Sequence, residues 1–356
     1  VLCSFCVGDF DFQSPKMRNS RRDDVRLSPF DEQKERARRK ERVFVMFRTI
    51  VVPLDGSKLA TQALPVAAHI ARVSDCSLSL VQVTISPFSA ILPVYDYPLY
   101  LPQIEQEDHR RATAYLEQVA ASPEWRGIRI STNTLDGDPA EAILETAHQR
   151  PSPLIVLSSH GDTGVKRWML GSVATKIMHY SHDPVLLLRP DGSEPLLEPS
   201  RSLRLLVPLD GSLLSEEALA PAITLTKALS APETGAIHLA CVLPTQKVEK
   251  NEQLLEDAQR YLTGVQQHLR ESESESDLVI TTSVLIDVDV ASALINLAET
   301  GKGMGQVAEE ARCDGIALTT HGWGAVQRWM MGSISERIVN TTKLPLLIVR
   351  SQKHEK

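Results

Sequence analysis

Several kinds of chemistry are missing from this sequence. Its 356 residues hold five cysteines, at positions 3, 6, 76, 241 and 313. The number is odd and the spacing scattered, so a disulfide framework is not expected and a reducing, cytoplasmic setting is. Cys3 and Cys6 make one CxxC without the second pair that a four-ligand metal site needs. No apolar run reaches the roughly 18–20 residues of a transmembrane helix. No basic segment followed by a long apolar stretch marks a secretory signal. Positive charge is not in excess either: 38 Lys and Arg stand against 45 Asp and Glu, a net charge of −7. A mildly acidic chain is poorly matched to nucleic acid, so neither nucleic acid nor membrane is expected as a partner.

Motifs of catalysis are scarce too. No GxxxxGK[ST] occurs. Gly301-Lys302-Gly303-Met304-Gly305 fails as a phosphate loop, because Asn296 stands where the first Gly belongs and Gly303 where Ser or Thr belongs. It reads as an inserted helix break. GxSxG, HExxH and HxxxH are absent, which argues against a hydrolytic triad and a zinc site.

What is present is a globular composition, 42% hydrophobic and 23% charged, at a length suited to about two domains. Residues 1–47 stand apart. Asp31 to Arg42 reads DEQKERARRKER, and no apolar period runs through 8–42. Such a segment cannot bury enough surface to offset chain entropy. Three readings fit it: a solvated tail, a basic arm for nucleic acid or acidic lipid, or a gene start set too far upstream, with Met46 just before the first strand.

The rest is one pattern written twice. IVVPLDGS at 50–57 returns as LLVPLDGS at 205–212, and IVLSSHG at 155–161 as IALTTHG at 316–322. KRWMLGSVA at 166–174 is answered by QRWMMGSIS at 327–335, and DPVLLLRP at 183–190 by LPLLIVRS at 344–351. From His160 to Ser172 is twelve residues, as from His321 to Ser333. Four matched blocks in one order mean a duplicated domain. The expected units are 48–190 and 203–351, joined by a Pro- and Ser-rich linker at 191–202.

Within each copy, strand and helix signals alternate. In the first, Arg48–Leu54, Leu78–Ile85, Ile128–Leu135, Leu154–Ser158 and Val185–Arg189 read as strands. Ala60–Arg72, Gln103–Ala121, Pro139–Gln149 and a segment from Gly171 read as helices. Ser86–Pro102, with four prolines, reads as a long loop, and the acidic run Glu271–Asp277 as a solvated helix end. The expectation is an α/β fold: two tandem copies of a five-stranded parallel sheet with helices on both faces, the second copy following the same order as the first. Ligands in such sheets bind beyond the carboxyl ends of the strands.

Two places at that edge carry chemistry. Strand 1 of each copy ends in Asp55-Gly56-Ser57 or Asp210-Gly211-Ser212. The aspartate suits hydrogen bonds from a ribose or base; equally, Asp, Gly and Ser suit a helix cap. Strand 4 runs into His160-Gly161, Gly164 and then Gly171-Ser172 before a helix. Glycine allows close backbone approach, and a helix N-terminus offers free N–H groups to phosphate.

These paired motifs, P-x-D-G-S after strand 1 and a G-x2-G-x9-G-[ST] pattern after strand 4, resemble the universal stress protein (UspA-like) family in its tandem form. The resemblance covers roughly 48–190 and 203–350. It implies strand order 3-2-1-4-5 in each copy and a site for ATP or another adenine nucleotide, with Mg2+ as companion cation. It places Pro53 and Asp55 at the adenosine end, Val83 at the base, and Gly161, Gly171, Ser172 and Val173 on ribose and phosphates, beside His160. In copy two the counterparts are Pro208, Asp210, Val242, Gly322, Gly332, Ser333 and Ile334. Family members pair through the edge strand 5, so the two copies are expected to pair within the chain or between chains. The first glycine of the hallmark is Ser158 in one copy and Thr319 in the other. Gly137-Asp138-Pro139 follows the family and Val288-Asp289-Val290 departs from it. Copy one is therefore the favoured site. Two functions follow: a nucleotide-binding stress-response module without strong catalysis, or a non-binding scaffold pairing through its edge strands. No residue stands out as a general base, and neither SGGxDS nor a HIGH-type loop occurs.

Overall fold

The structure is a computed structural model, describing residues 47–85, 101–159, 170–189, 202–249, 251, 253–272, 278–303, 306–307, 312–320 and 331–350. The N-terminal segment 1–46, most of the Ser86–Pro102 loop, all of the expected linker except Ser202, and residues 273–277 of the acidic run lie outside that set.

In the first copy β1 (Thr49–Pro53) is a short apolar run, buried on both faces as a central parallel strand must be. Ser57 then caps α1 (Lys58–Thr61), and α2 (Ala63–Val73) follows. The sequence predicts one helix here. The structure breaks it at Gln62, whose N–H bonds back to Leu59 at 3.2 Å, a tightened i→i−3 turn. Then come β2 (Ser77–Thr84), α3 (Leu101–Ala120), β3 (Arg129–Asp136), α4 (Pro139–His148), β4 (Pro153–Ser158), α5 (Ser172–Tyr180) and β5 (Val185–Leu188).

The second copy repeats this with β6 (Arg204–Pro208), α6 (Leu213–Glu216), α7 (Leu219–Ser230) and β7 (Ala236–Pro244). A short α8 (Thr245–Val248) comes next, without counterpart among the described residues of copy one. It is followed by α9 (Gln253–Ser272), β8 (Val279–Asp287) and α10 (Val290–Thr300). Gly301 ends α10 in the left-handed region at φ 72°. Two short antiparallel strands, β9 (Lys302–Gly303) and β10 (Gln306–Val307), stand after that break. Copy two thus departs from the first at α8 and at this hairpin. β11 (Gly315–Thr319), α11 (Ser333–Thr341) and β12 (Leu346–Val349) complete it.

The strands form one ten-stranded sheet in the order β3-β2-β1-β4-β5-β12-β11-β6-β7-β8. Each half has the order 3-2-1-4-5 and is parallel throughout. The halves meet at an antiparallel ladder, with Leu187 opposite Leu346 and Val185 opposite Ile348. Leu187 and Leu346 have no exposed surface; full burial of such a leucine contributes roughly 1.5–3 kcal/mol.

One face of the sheet packs α2, α3, α7 and α9, and its apolar core runs across the ladder from one copy to the other. There α2 lies against α7, and His69 Nε2 stands 3.0 Å from the Ala228 carbonyl. The opposite face packs α4, α5, α10 and α11. No described helix is long and apolar enough to cross a membrane.

Candidate functional site

The site is built at the carboxyl end of β1, where the neighbours β2 and β4 flank it and the chain leaves to opposite faces. Leu54 N–H still bonds the Val81 carbonyl at 2.7 Å. Because strand groups repeat with period two, the N–H and C=O of Val83 point the same way as those of Val81, past the end of β1. Val83 is half-buried there. In copy two the Leu209 N–H meets Ala240 at 2.8 Å, which sets Val242 in the same position.

Pro53 closes β1 half-buried, and Asp55 follows, exposed. Gly56 turns the chain at φ 84° and Gly211 at φ 83°, backbone that an L side chain strains to adopt. Asp55 Oδ1 accepts the Ser57 N–H at 2.9 Å, and Ser57 Oγ accepts from Ala60 at 3.1 Å. Part of each aspartate is therefore used in capping. In copy two Asp210 Oδ1 accepts both the N–H and the hydroxyl of Ser212, at 3.0 and 2.6 Å. Asp210 and Pro208 are half-buried.

At the end of β4, Ser158 is half-buried and its Oγ has no hydrogen-bond partner among the described residues. Ser159 N–H bonds Leu188, and its carbonyl accepts the Gly171 N–H at 2.9 Å. The loop between them thus begins and ends against the same strand pair. Gly171 is the N-cap of α5 and gives it no side-chain cap, so the first N–H groups, at exposed Ser172 and half-buried Val173, face the edge of the sheet. Gly332 does the same for α11, bonding Thr320 at 2.7 Å, with Ser333 and Ile334 exposed. Thr319 is buried. His160, Gly161 and Gly322, with the rest of both strand-4 loops, lie outside the described residues.

The structure brings Pro53, Asp55, Val83, Ser158, Gly171, Ser172 and Val173 to one edge, and their counterparts to the corresponding edge of copy two. Asp138, the expected family position, caps α4 by accepting from Ala140 and Glu141. Lys176 on α5 bonds it at 2.7 Å, which holds its carboxyl below the usual range. Asp289 does both jobs in copy two, capping α10 and pairing with Arg337 at 2.6 Å. The change from Gly-Asp-Pro to Val-Asp-Val keeps the residue that works.

Two side chains at this edge escape the motif reading, Gln82 near the end of β2 and Tyr115 on α3. The signal was available: YLEQV at 115–119 matches YLTGV at 261–265. α3 is anchored over the edge by His109 and Thr84, both bonded to Asp136, whose carboxyl they hold low. Among the described residues, no group of three or more His, Cys, Asp and Glu could hold a metal ion.

Comparison with known proteins gives the same division of the chain. Residues 46–189 and 202–350 each match the universal stress protein family. A universal stress protein of Methanocaldococcus jannaschii is 32% identical over 145 residues, covering 40% of this chain and 83% of its own. Universal stress protein YxiE of Bacillus subtilis is 32% identical over 150 residues, covering 40% and 100%. One from Mycolicibacterium smegmatis spans both copies, 24% identical over 312 residues, 85% of this chain and 96% of that one. Among solved structures, a putative universal stress protein from Pseudomonas aeruginosa shares the fold at a TM-score of 0.57 and 17% identity, covering 86% and 94%. One from Archaeoglobus fulgidus does so at 0.56 and 18%, covering 85% and 98%. The chain belongs to the universal stress protein family, whose domain it carries twice in tandem.

Proposed function

We propose that this chain is an adenine-nucleotide-binding module, with ATP as the ligand and Mg2+ as its companion, that holds the nucleotide without strong turnover. The observation that carries this reading is the pair of glycines before α5 and α11. Gly171 sits at φ −63°, ψ 152°, open to any residue, and among the described residues a Cβ added there would meet only the Ser159 carbonyl, at 3.5 Å. Gly332 sits at φ −62°, ψ 148°, and among the described residues its Cβ would meet only the Thr320 carbonyl, at 3.4 Å. The described fold does not need glycine at either place. At Gly171 a ligand lying against the backbone does, because a phosphate approaching the N–H groups of α5 has no room for a side chain.

The residues fit a nucleotide in other respects. The N–H groups of Ser172 and Val173 suit the phosphates, the peptide groups of Val83 suit a base edge, and the Asp55 carboxylate suits a ribose. The binding site would lie in a soluble, cytoplasmic protein. We further propose that the chain is its own dimer, its two fifth strands serving each other. The scaffold alternative draws support from the tight self-capping at Asp210, which favours it for copy two.

The test is denaturing extraction of purified protein, mass spectrometry for nucleotide, and calorimetry with ATP and Mg2+. One or two equivalents recovered or bound per chain supports the binding module. No nucleotide and no heat of binding refutes it in favour of the scaffold.

A further inference from the structure

Besides Arg189 Nε at the seam, three buried polar side-chain atoms of copy one have no hydrogen-bond partner among the described residues: Gln82 Oε1, the Tyr115 hydroxyl and Ser158 Oγ. They stand together. Leu78 and Leu80 of β2, and Leu154 and Val156 of β4, face the α2–α3 side of the sheet. Alternation puts Gln82 and Ser158 on that same face, at the carboxyl ends of the two strands that flank β1. Tyr115 packs on that face from α3. It is near enough to Asp55 that the carboxylate adds to burial in raising its hydroxyl pKa. A buried hydroxyl or amide left unpaired is costly, and three around one strand end need a common partner.

Copy two has the same positions and no such set. Gln82 corresponds to Cys241, a buried thiol that burial and Asp210 push up to about 12. Tyr115 corresponds to Tyr261, whose hydroxyl donates to Glu216 Oε1 at 2.9 Å. Copy one has Thr61 where that glutamate stands. Thr319, at the Ser158 position, is buried and its side-chain oxygen is not orphaned. Glu336 lies in the first turn of α11, where copy one has Thr175. A carboxylate there opposes a phosphate at that helix end.

We propose that copy one alone binds the ligand, that Gln82, Tyr115 and Ser158 are its recognition set for a nucleoside, and that copy two, with no orphaned atom at these three positions, is a ligand-free partner. This rests on the nucleotide reading above and deepens it. All three side chains are neutral, and each can both donate and accept. They suit sugar hydroxyls and base N–H groups, leaving the charged phosphates to the N-terminus of α5.

The test combines calorimetry, using ATP and adenosine separately, with melting in the absence of ligand. The full chain should bind one equivalent. Gln82→Met, Tyr115→Phe and Ser158→Ala should each weaken both ligands by about 3- to 10-fold, while Tyr261→Phe changes neither. Without ligand, Tyr115→Phe and Ser158→Ala should melt at or above the unaltered chain, and Tyr261→Phe below it. Two equal sites, unchanged affinity in all three copy-one variants, or a Tyr115→Phe chain less stable than Tyr261→Phe would each overturn the inference. One-site binding that ignores the three substitutions overturns this inference alone; no binding of either ligand overturns the nucleotide reading with it.

Discussion

Arg189 and Arg350 occupy equivalent places after β5 and β12, and each reaches across to a helix of the other copy. Arg189 donates to the Val339 carbonyl near the end of α11, and Arg350 to the Tyr180 carbonyl at the end of α5, at 3.2 Å. Both cations thus meet the negative end of a helix. They differ in setting. Arg189 is largely buried, which lowers its pKa to about 10, and its Nε has no partner among the described residues.

Arg189→Ala should therefore cost about 2 kcal/mol, through a cavity and an orphaned carbonyl. Arg189→Met should cost much less, because it refills the volume and removes a buried cation. Arg350→Ala, at an exposed bond, should cost under about 1 kcal/mol. Urea denaturation at constant m-value measures all three. An equal loss for Ala and Met at 189 would mean the charge itself holds the seam.

Glycines of different purpose should separate cleanly. A Cβ on Gly315 would stand 2.9 Å from Leu205 Cδ2 and 3.1 Å from the Pro345 carbonyl. Gly315→Ala should destabilise by about 1–3 kcal/mol, as overpacking does. Gly171→Ala should cost under about 1 kcal/mol, the difference between these residues at an N-cap. It should nevertheless weaken ATP at least tenfold. Melting curves and calorimetry on the two variants decide it; a Gly171→Ala chain that binds ATP normally takes the α5 N-terminus out of the site.

His238 should make stability depend on pH. It is buried on β7, its Nδ1 2.7 Å from Thr281 Oγ1, and burial with nearby Arg204 lowers its pKa to about 4. The ordinary value is 6.5. Between these values the unfolded chain holds the proton and the folded chain does not, so stability falls as pH drops from 6.5 towards 4. The full effect is about 3 kcal/mol. His238→Gln should flatten this part of the curve. Denaturation at pH 7 and pH 4.5 checks it, and an unchanged slope in the variant would assign the acid loss elsewhere.

Asp138→Ala and Asp289→Ala should each cost about 1 kcal/mol, the usual loss of an N-cap. Their partners Lys176 and Arg337 are more than half exposed, so Lys176→Ala should cost much less. A large loss on removing Lys176 would shift the credit from the cap to the ion pair. Thermal denaturation of the single variants settles which.

The duplication and the alternation of elements were readable because buried parallel strands and amphipathic helices leave different periods in the chain. The expected strand Leu154–Ser158 differs from β4 by one residue at its start. The break at Gln62 did leave a sign, which the periodicity reading passed over: Pro65 has no N–H for the Thr61 carbonyl, and Pro221 stands at the same place in the first turn of α7. The hairpin after Gly301 had only its glycine as a sign. At the site, motif spacing located Asp55 and Gly171, which lie where the chain turns. It missed Gln82 and Tyr115, whose surroundings come from β2, β4 and α3 together. It also gave no sign of Arg189 and Arg350, because a residue that ends a strand says nothing about the helix it will reach.

The antiparallel ladder at β5 and β12 has a consequence for how such a chain can change. The two halves are tethered, so dilution does not separate them, and short tethers give effective concentrations in the millimolar range. In a pair of identical chains, every substitution would appear on both sides at once. Here each half carries its own. In the reading proposed above, one half keeps an open ligand edge, while the other, with Tyr261 bonded to Glu216, serves as the wall against which the first is built.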